Sequence, residues 1–179
     1  MSLTAILDAR ERRWLEKQQL ARHFHASVLS LCLNIPGPDK NPPGVEEAFA
    51  RVQTTLREAH ASEVQRMKKV RHGCCAAILH EVTGAGADGP TWLMVSSLSG
   101  LALKRMAVRL EGEHPLGRLA DIDILTKRGE AVSRADIGLP PRSCFLCGEP
   151  AVLCRRGKRH SQAMLMEFVA SLLENAGIR

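Results

Sequence analysis

"HPLGRLADIDIL", residues 114–125, ends in an alternation of acids with branched apolar side chains. Strand residues i and i+2 project from the same face. The spacing therefore predicts a strand that buries Ile122 and Ile124 and raises Asp121 and Asp123 together on its other side. Two like charges held that close either push one pKa up or call for a cation between them. The next residues, "TKRG" followed by "EAVS", carry a hairpin signal, because Gly129 can supply the positive φ of the turn.

Upstream of this strand, Leu98, Ala102, Met106 and Leu110 step by four along a helix closed by His114 and Pro115, with Lys104 and Arg105 turned toward solvent or ligand. "CCAAILHEV" at 74–82 reads as a buried strand, and "TGAGADGP" as a glycine-rich break after it. Val45, Phe49, Val52 and Leu56 mark an earlier amphipathic helix. The first 24 residues read as another helix, with Leu7, Trp14 and Ala21 on its apolar side and "DARERR" and "EKQQ" on its polar side. Between these two helices lie a short strand, "SVLSLCL" at 27–33, and a rigid loop, "NIPGPDKNPPG". A final helix runs from about Ser161 to Asn175, with Met164, Phe168 and Leu172 on one stripe and Gly177 just past its end. Helices interleaved with strands predict a single α+β domain over residues 1–179: a mixed β-sheet with flanking helices, and a small Cys-rich C-terminal knuckle, residues 144–160, followed by a helix.

The 179 residues, 45% hydrophobic, suffice for one sizeable core. The chain lacks a run of 18 uncharged apolar residues, and charge follows the N-terminus too soon for a secretory signal. The expected location is the cytoplasm, with no membrane partner. In that reducing compartment the six cysteines read as free thiols or metal ligands rather than disulfides. The net charge of +6 favours an anionic partner, but an aromatic content of 3%, without tyrosine, argues against base stacking and so against nucleic acid.

Asp121 and Asp123 are a ready Mg²⁺ site, since Mg²⁺ takes one or two carboxylates and completes its shell with water and substrate phosphates. The same spacing also suits two solvated acids at a strand end, paired with Arg118 or Arg128. An Asp-x-Asp strand also serves the polymerase-β type of nucleotidyltransferase, but the Gly-Ser element of that type appears here in reverse order, in "LSGLALKRM", and farther away. Cys144, Cys147, Cys154 and His160 form a C-x2-C-x6-C-x5-H pattern. Its first pair has knuckle spacing, with Gly148 placed for a tight turn. Three thiolates and an imidazole suit tetrahedral Zn²⁺, and four protein ligands would make that metal structural. Reduced, partly buried thiols with a solvated histidine fit the spacing too. The run "RRGKR" at 155–159 reads either as a phosphate contact or as a solvated basic turn.

Six blocks, "LDARERR" with "KQQ", "LNIPGPDK", "LALKRM", "HPLGRLADIDIL", "SRADIGLPPRSCFLCGEPAVLC" and "RRGKRHS", together resemble the citrate lyase holo-acyl-carrier-protein synthase family, also called apo-citrate lyase phosphoribosyl-dephospho-CoA transferase. They occur in family order and cover most of the chain. The resemblance implies a transferase that attaches a prosthetic group to a serine of the citrate lyase acyl carrier subunit. The donor would be 2'-(5''-triphosphoribosyl)-3'-dephospho-CoA, and diphosphate would leave, a nucleotidyl-type transfer. Within that reaction the chemistry of the residues assigns Asp121 and Asp123 to Mg²⁺ and Arg118 to the phosphate chain. Gly117 would allow close backbone approach, and Lys40, Lys104 and Arg134 would contact phosphate. His114 is a candidate general base or, alternatively, a helix-ending residue beside Pro115. The competing readings are a zinc-stabilised nucleic-acid-binding module using "CRRGKRH", and a non-catalytic partner of the lyase complex.

Overall fold

A computed structural model describes residues 2–70 and 77–178. Cys74 and Cys75, at the head of the strand expected from residue 74, lie outside the described residues. Four strands, β1 (Ser27–Leu33), β2 (Ile78–Gly86), β3 (Gly89–Ser96) and β4 (Ala120–Leu125), form one sheet in the order β2-β3-β1-β4. The domain is α+β with flanking helices, as expected, but each strand pairing is antiparallel where a mixed sheet was expected.

β1 is central, and its alternation divides the core. Leu29, Leu31 and Leu33 join Trp92, Met94, Ile122 and Ile124 against α2 (Val45–Val70) and α3 (Gly100–Glu113). The predicted stripe of α2, Val45, Phe49, Val52 and Leu56, is buried there in full. Val28, Val95 and Leu125 face the other way, under the C-terminal half of α1 (Leu3–Phe24), where Ala21 and Ala26 meet them. Farther along that second face the strands present Ser30 and Cys32, opposite Asp123 and Asp121.

α1 differs from its predicted pattern. Leu7 and Trp14 are exposed, and the inward side consists of Ile6, Ala9, Lys17 and Ala21. The sheet beneath its N-terminal half is polar, so long basic side chains bury their stems there and carry their charges to Asp123 on β4 and Asp88 in the β2–β3 turn. β2 is an edge strand exposed along nearly its whole length, not the buried strand expected. Nor does "TGAGADGP" break the chain: Thr83–Gly86 extend β2, Ala87 and Asp88 turn it, and Gly89, at φ 93°, begins β3. Small residues are tolerated on an edge, and Pro90 precedes the part of β3 that pairs with β1.

After β4 the expected hairpin shrinks to one bridge, Leu125 to Ala131, although Gly129 adopts the anticipated left-handed conformation at φ 81°. A short helix, α4 (Ala151–Arg156), and α5 (Gln162–Asn175) complete the chain. The Ser161 hydroxyl caps α5 by accepting from the Met164 N–H. Val169 and Leu173 are its buried residues; Phe168 is half-buried and stacks on Phe145, while Met164 is exposed, so the buried stripe is rotated by one position from the predicted one. Among the described residues no helix is long and apolar enough to cross a membrane.

Candidate active site and cysteine knuckle

Burial along β4 alternates as its sequence implies: Ile122 and Ile124 enter the core, and Asp121 and Asp123 stand exposed side by side on the α1 face. Each acid is met from below. Lys17 Nζ lies 2.8 Å from Asp123 Oδ2, and Cys32 Sγ lies 3.7 Å from Asp121 Oδ2. Burial, reinforced by Asp121, pushes the Cys32 thiol up to about 12, so it stays protonated and acts as a donor. Arg13 is ion-paired with Asp88 in the β2–β3 turn. Lys40, on the rigid loop after β1, donates to the Ile35 carbonyl, and burial together with the nearby Arg10 lowers its pKa. Lys17 thus brings a cation to Asp123, while Arg13 and Lys40 lie close enough to Cys32 to act on its charge.

The turn before β4 is held by close backbone packing. The His114 Nδ1 accepts from the Leu116 N–H at 3.0 Å, and burial, with Arg51 second, lowers the pKa of this ring. At Gly117 a Cβ would fall 2.3 Å from the Leu110 carbonyl oxygen and 2.8 Å from that of Glu111. The close approach that this glycine permits is therefore to the end of α3. Gly117→Ala is expected to lower stability by about 1–3 kcal/mol, because a backbone atom cannot step aside; the midpoint of urea unfolding measures it.

Two arginines fasten this turn to the cysteine segment in opposite directions. Arg118 donates to the carbonyls of Ser143 (3.1 Å) and Cys144 (2.8 Å) and lies over the Phe145 ring. Arg142 donates back to the carbonyls of Gly117 (3.2 Å), Arg118 (2.6 Å) and Ala120 (2.7 Å). Arg134 pairs with Glu111 and donates to the Pro140 carbonyl. A pocket of about 420 Å³ is lined by these three arginines together with Glu111, His114 and Ser143. Lys104, expected to face solvent or ligand, is buried on α3 instead, because the chain beyond β4 folds back over it with Asp136 close by.

Cys144, Cys147, Cys154 and His160 converge: one donor atom from each lies within 4.8 Å of all the others. Cys147 Sγ is 3.5 Å from both Cys154 Sγ and His160 Nε2. Burial raises the Cys144 thiol, but the N–H groups of Leu146 and Cys147 together with the Cys154 and Cys147 thiols set its pKa below the ordinary value, whereas burial and the Cys147 and Cys144 thiols push Cys154 up to about 11. The cluster could hold a metal ion. Next to it, Arg155, Arg156 and Lys158 of the "RRGKR" run are exposed.

Of the residues singled out from the sequence, the structure joins Asp121 with Asp123, bonds Lys40 to the Ile35 carbonyl, and brings Cys144, Cys147, Cys154 and His160 together. It places Gly117, Arg118 and Arg134 around the neighbouring pocket and buries Lys104 apart. Lys17, Cys32 and Arg142 escaped sequence reading. Lys17 belongs to the polar "EKQQ" face of the first helix, Cys32 to the strand "SVLSLCL" and Arg142 to the segment ahead of the cysteines, and no spacing links any of them to β4.

Comparison with known proteins identifies the family. The family model described as apo-citrate lyase phosphoribosyl-dephospho-CoA transferase matches residues 1–176. Relatives of that name include a protein of Escherichia coli O139:H28 (strain E24377A / ETEC), 32% identical over 98% of this chain and 90% of its own length. Another is from Shigella flexneri serotype 5b (strain 8401), 31% identical with the same coverage. The chain belongs to the apo-citrate lyase phosphoribosyl-dephospho-CoA transferase family.

Proposed function

We propose that the protein transfers the phosphoribosyl-dephospho-CoA group to apo-citrate lyase and does so over the exposed face of β4. The observation that carries this reading is the pair of carboxylates, Asp121 and Asp123, exposed side by side on β4 with Lys17 bonded to one of them, in a chain of this family. The donor is 2'-(5''-triphosphoribosyl)-3'-dephospho-CoA and the acceptor a serine of the acyl carrier subunit. The serine oxygen forms a bond to the α-phosphorus, the bond to diphosphate breaks, and the hydroxyl proton passes to a base. His114 is the candidate among the residues of the turn, since its Nε2 remains free of the bond that Nδ1 makes within the turn.

Asp121 and Asp123 would hold Mg²⁺, whose preference for hard oxygen ligands they fit; the ion supplies positive charge to the phosphates during attack and departure. Lys40 and the nearby Arg10 are the candidate contacts for the triphosphate. Arg13 retains a buried donor, Nε, with no acceptor among the described residues, a demand that an anionic ligand can meet. Arg118 and Arg142 hold the turn bearing β4 against the knuckle. The knuckle would hold Zn²⁺: tetrahedral Zn–S bonds of about 2.3 Å place sulfurs about 3.8 Å apart, close to the spacing of Cys147 and Cys154. The reaction belongs to the cytoplasm, where such thiols stay reduced.

The test is to incubate the protein with apo-carrier, donor and Mg²⁺ and weigh the carrier. A gain equal to the donor less diphosphate is expected. A carrier that binds the protein but keeps its mass would establish a non-catalytic partner instead, and salt-sensitive binding of DNA or RNA without mass gain would point to the nucleic-acid reading.

A further inference from the structure

Lys17 occupies a costly position. Its side chain is only 4% exposed, whereas that of its partner Asp123 is 59% exposed. A buried ammonium loses most of its hydration, and a solvent-facing carboxylate returns only part of that loss, so the pair is a poor device for stability alone. The direction of approach matters as well. Nζ reaches Asp123 Oδ2 from the inward side of α1, and the protonated Cys32 thiol reaches Asp121 Oδ2 from β1. Each carboxylate therefore has one oxygen engaged from within the protein, and among the described residues its other oxygen has no hydrogen-bond partner.

We infer that Lys17 is the resident cation of the aspartate pair: a positioning residue that cancels one of its two negative charges, anchors Asp123 and leaves room for a single divalent ion. The inference rests on the reading of Asp121 and Asp123 as a cation site. Two carboxylates supply a charge of −2, and an ammonium bonded to one of them takes the place that a second ion would need. When the polyphosphate arrives, one mobile ion and one fixed ammonium share its charge.

Removing the ammonium has opposed consequences. The site becomes more negative, so a divalent ion binds more tightly. Asp123 also loses its anchor, so the ion is held where the triphosphate cannot use it, and turnover falls. A lysine with a purely structural role would not strengthen metal binding when removed.

The experiment measures Mn²⁺ binding by electron paramagnetic resonance and turnover at saturating Mg²⁺, on the whole protein. Wild type should bind one Mn²⁺ that is lost in Asp123→Asn. Lys17→Met should bind Mn²⁺ about tenfold more tightly while kcat falls on the order of 100-fold. Lys17→Arg should return Mn²⁺ affinity to within about threefold of wild type, since it restores the charge. If Lys17→Met does not fold, Lys17→Gln, which keeps a donor and drops the charge, serves in its place. Folded neutral variants with unchanged or weaker Mn²⁺ binding, or two Mn²⁺ at the pair in wild type, overturn the role of Lys17. Wild-type Mn²⁺ binding in Asp123→Asn overturns instead the cation site on which the inference stands.

Discussion

Asp121→Asn and Asp123→Asn each slow the mass gain of the carrier by at least 100- to 1000-fold, the range typical of losing one preorganised group that stabilises developing charge. Both variants keep the size and shape of the side chain and remove the charge that would hold the cation. Their effects on stability differ, which separates a lost site from a lost fold. Asp121 is exposed and, among the described residues, its carboxylate is bonded only to the weak Cys32 donor, so Asp121→Asn stays within about 0.5 kcal/mol of wild type. Asp123→Asn leaves the buried Lys17 ammonium facing a neutral amide oxygen. Because Asp123 is more than half exposed and water can reach it, the cost is on the order of 1–2 kcal/mol rather than that of a fully buried pair. Urea unfolding and carrier mass spectrometry on the same samples give both quantities. Full transfer activity in both variants would remove β4 from the chemistry.

Stripping the proposed zinc from the knuckle has the second-largest expected effect. The purified protein should carry about one zinc per chain by elemental analysis, and Cys147→Ser or Cys154→Ser should carry almost none, since three remaining ligands hold zinc poorly. A metal present at 1000 times its dissociation constant stabilises the folded chain by about 4 kcal/mol, so chelation should lower the unfolding free energy on that order. Activity should fall with it, although no knuckle ligand touches the aspartates. Arg118 and Arg142 carry the connection: one donates to the carbonyls of Ser143 and Cys144, the other returns to those of Gly117, Arg118 and Ala120. When the knuckle loosens, the start of β4 loses five hydrogen bonds. Zinc-free protein of normal stability, with active Cys→Ser variants, would leave the four residues as packed thiols and a histidine.

What the sequence determined by itself is whatever local repetition encodes. The alternation of "DIDIL" put two acids on one face of a strand, the spacing of Val45, Phe49, Val52 and Leu56 made one side of α2 apolar, and C-x2-C marked the knuckle before any fold was known. Each depends on neighbours a few residues apart, for which backbone geometry alone sets the direction of a side chain. The tertiary structure decided which faces meet. Lys17 is 106 residues from Asp123 and Arg13 is 75 from Asp88, so hydropathy assigns both cations to solvent, and only the docking of α1 on a sheet face bearing those acids turns them inward. β2 carries the apolar letters of a buried strand but is exposed along nearly its whole length, unlike β4 at the opposite edge, whose Ile122 and Ile124 enter the core. Arg142 gains its role from three carbonyls on a turn that its own segment reaches only after folding back. Burial and charge pairing are properties of contacts distant along the chain, and a linear pattern carries no record of them until packing brings the partners together.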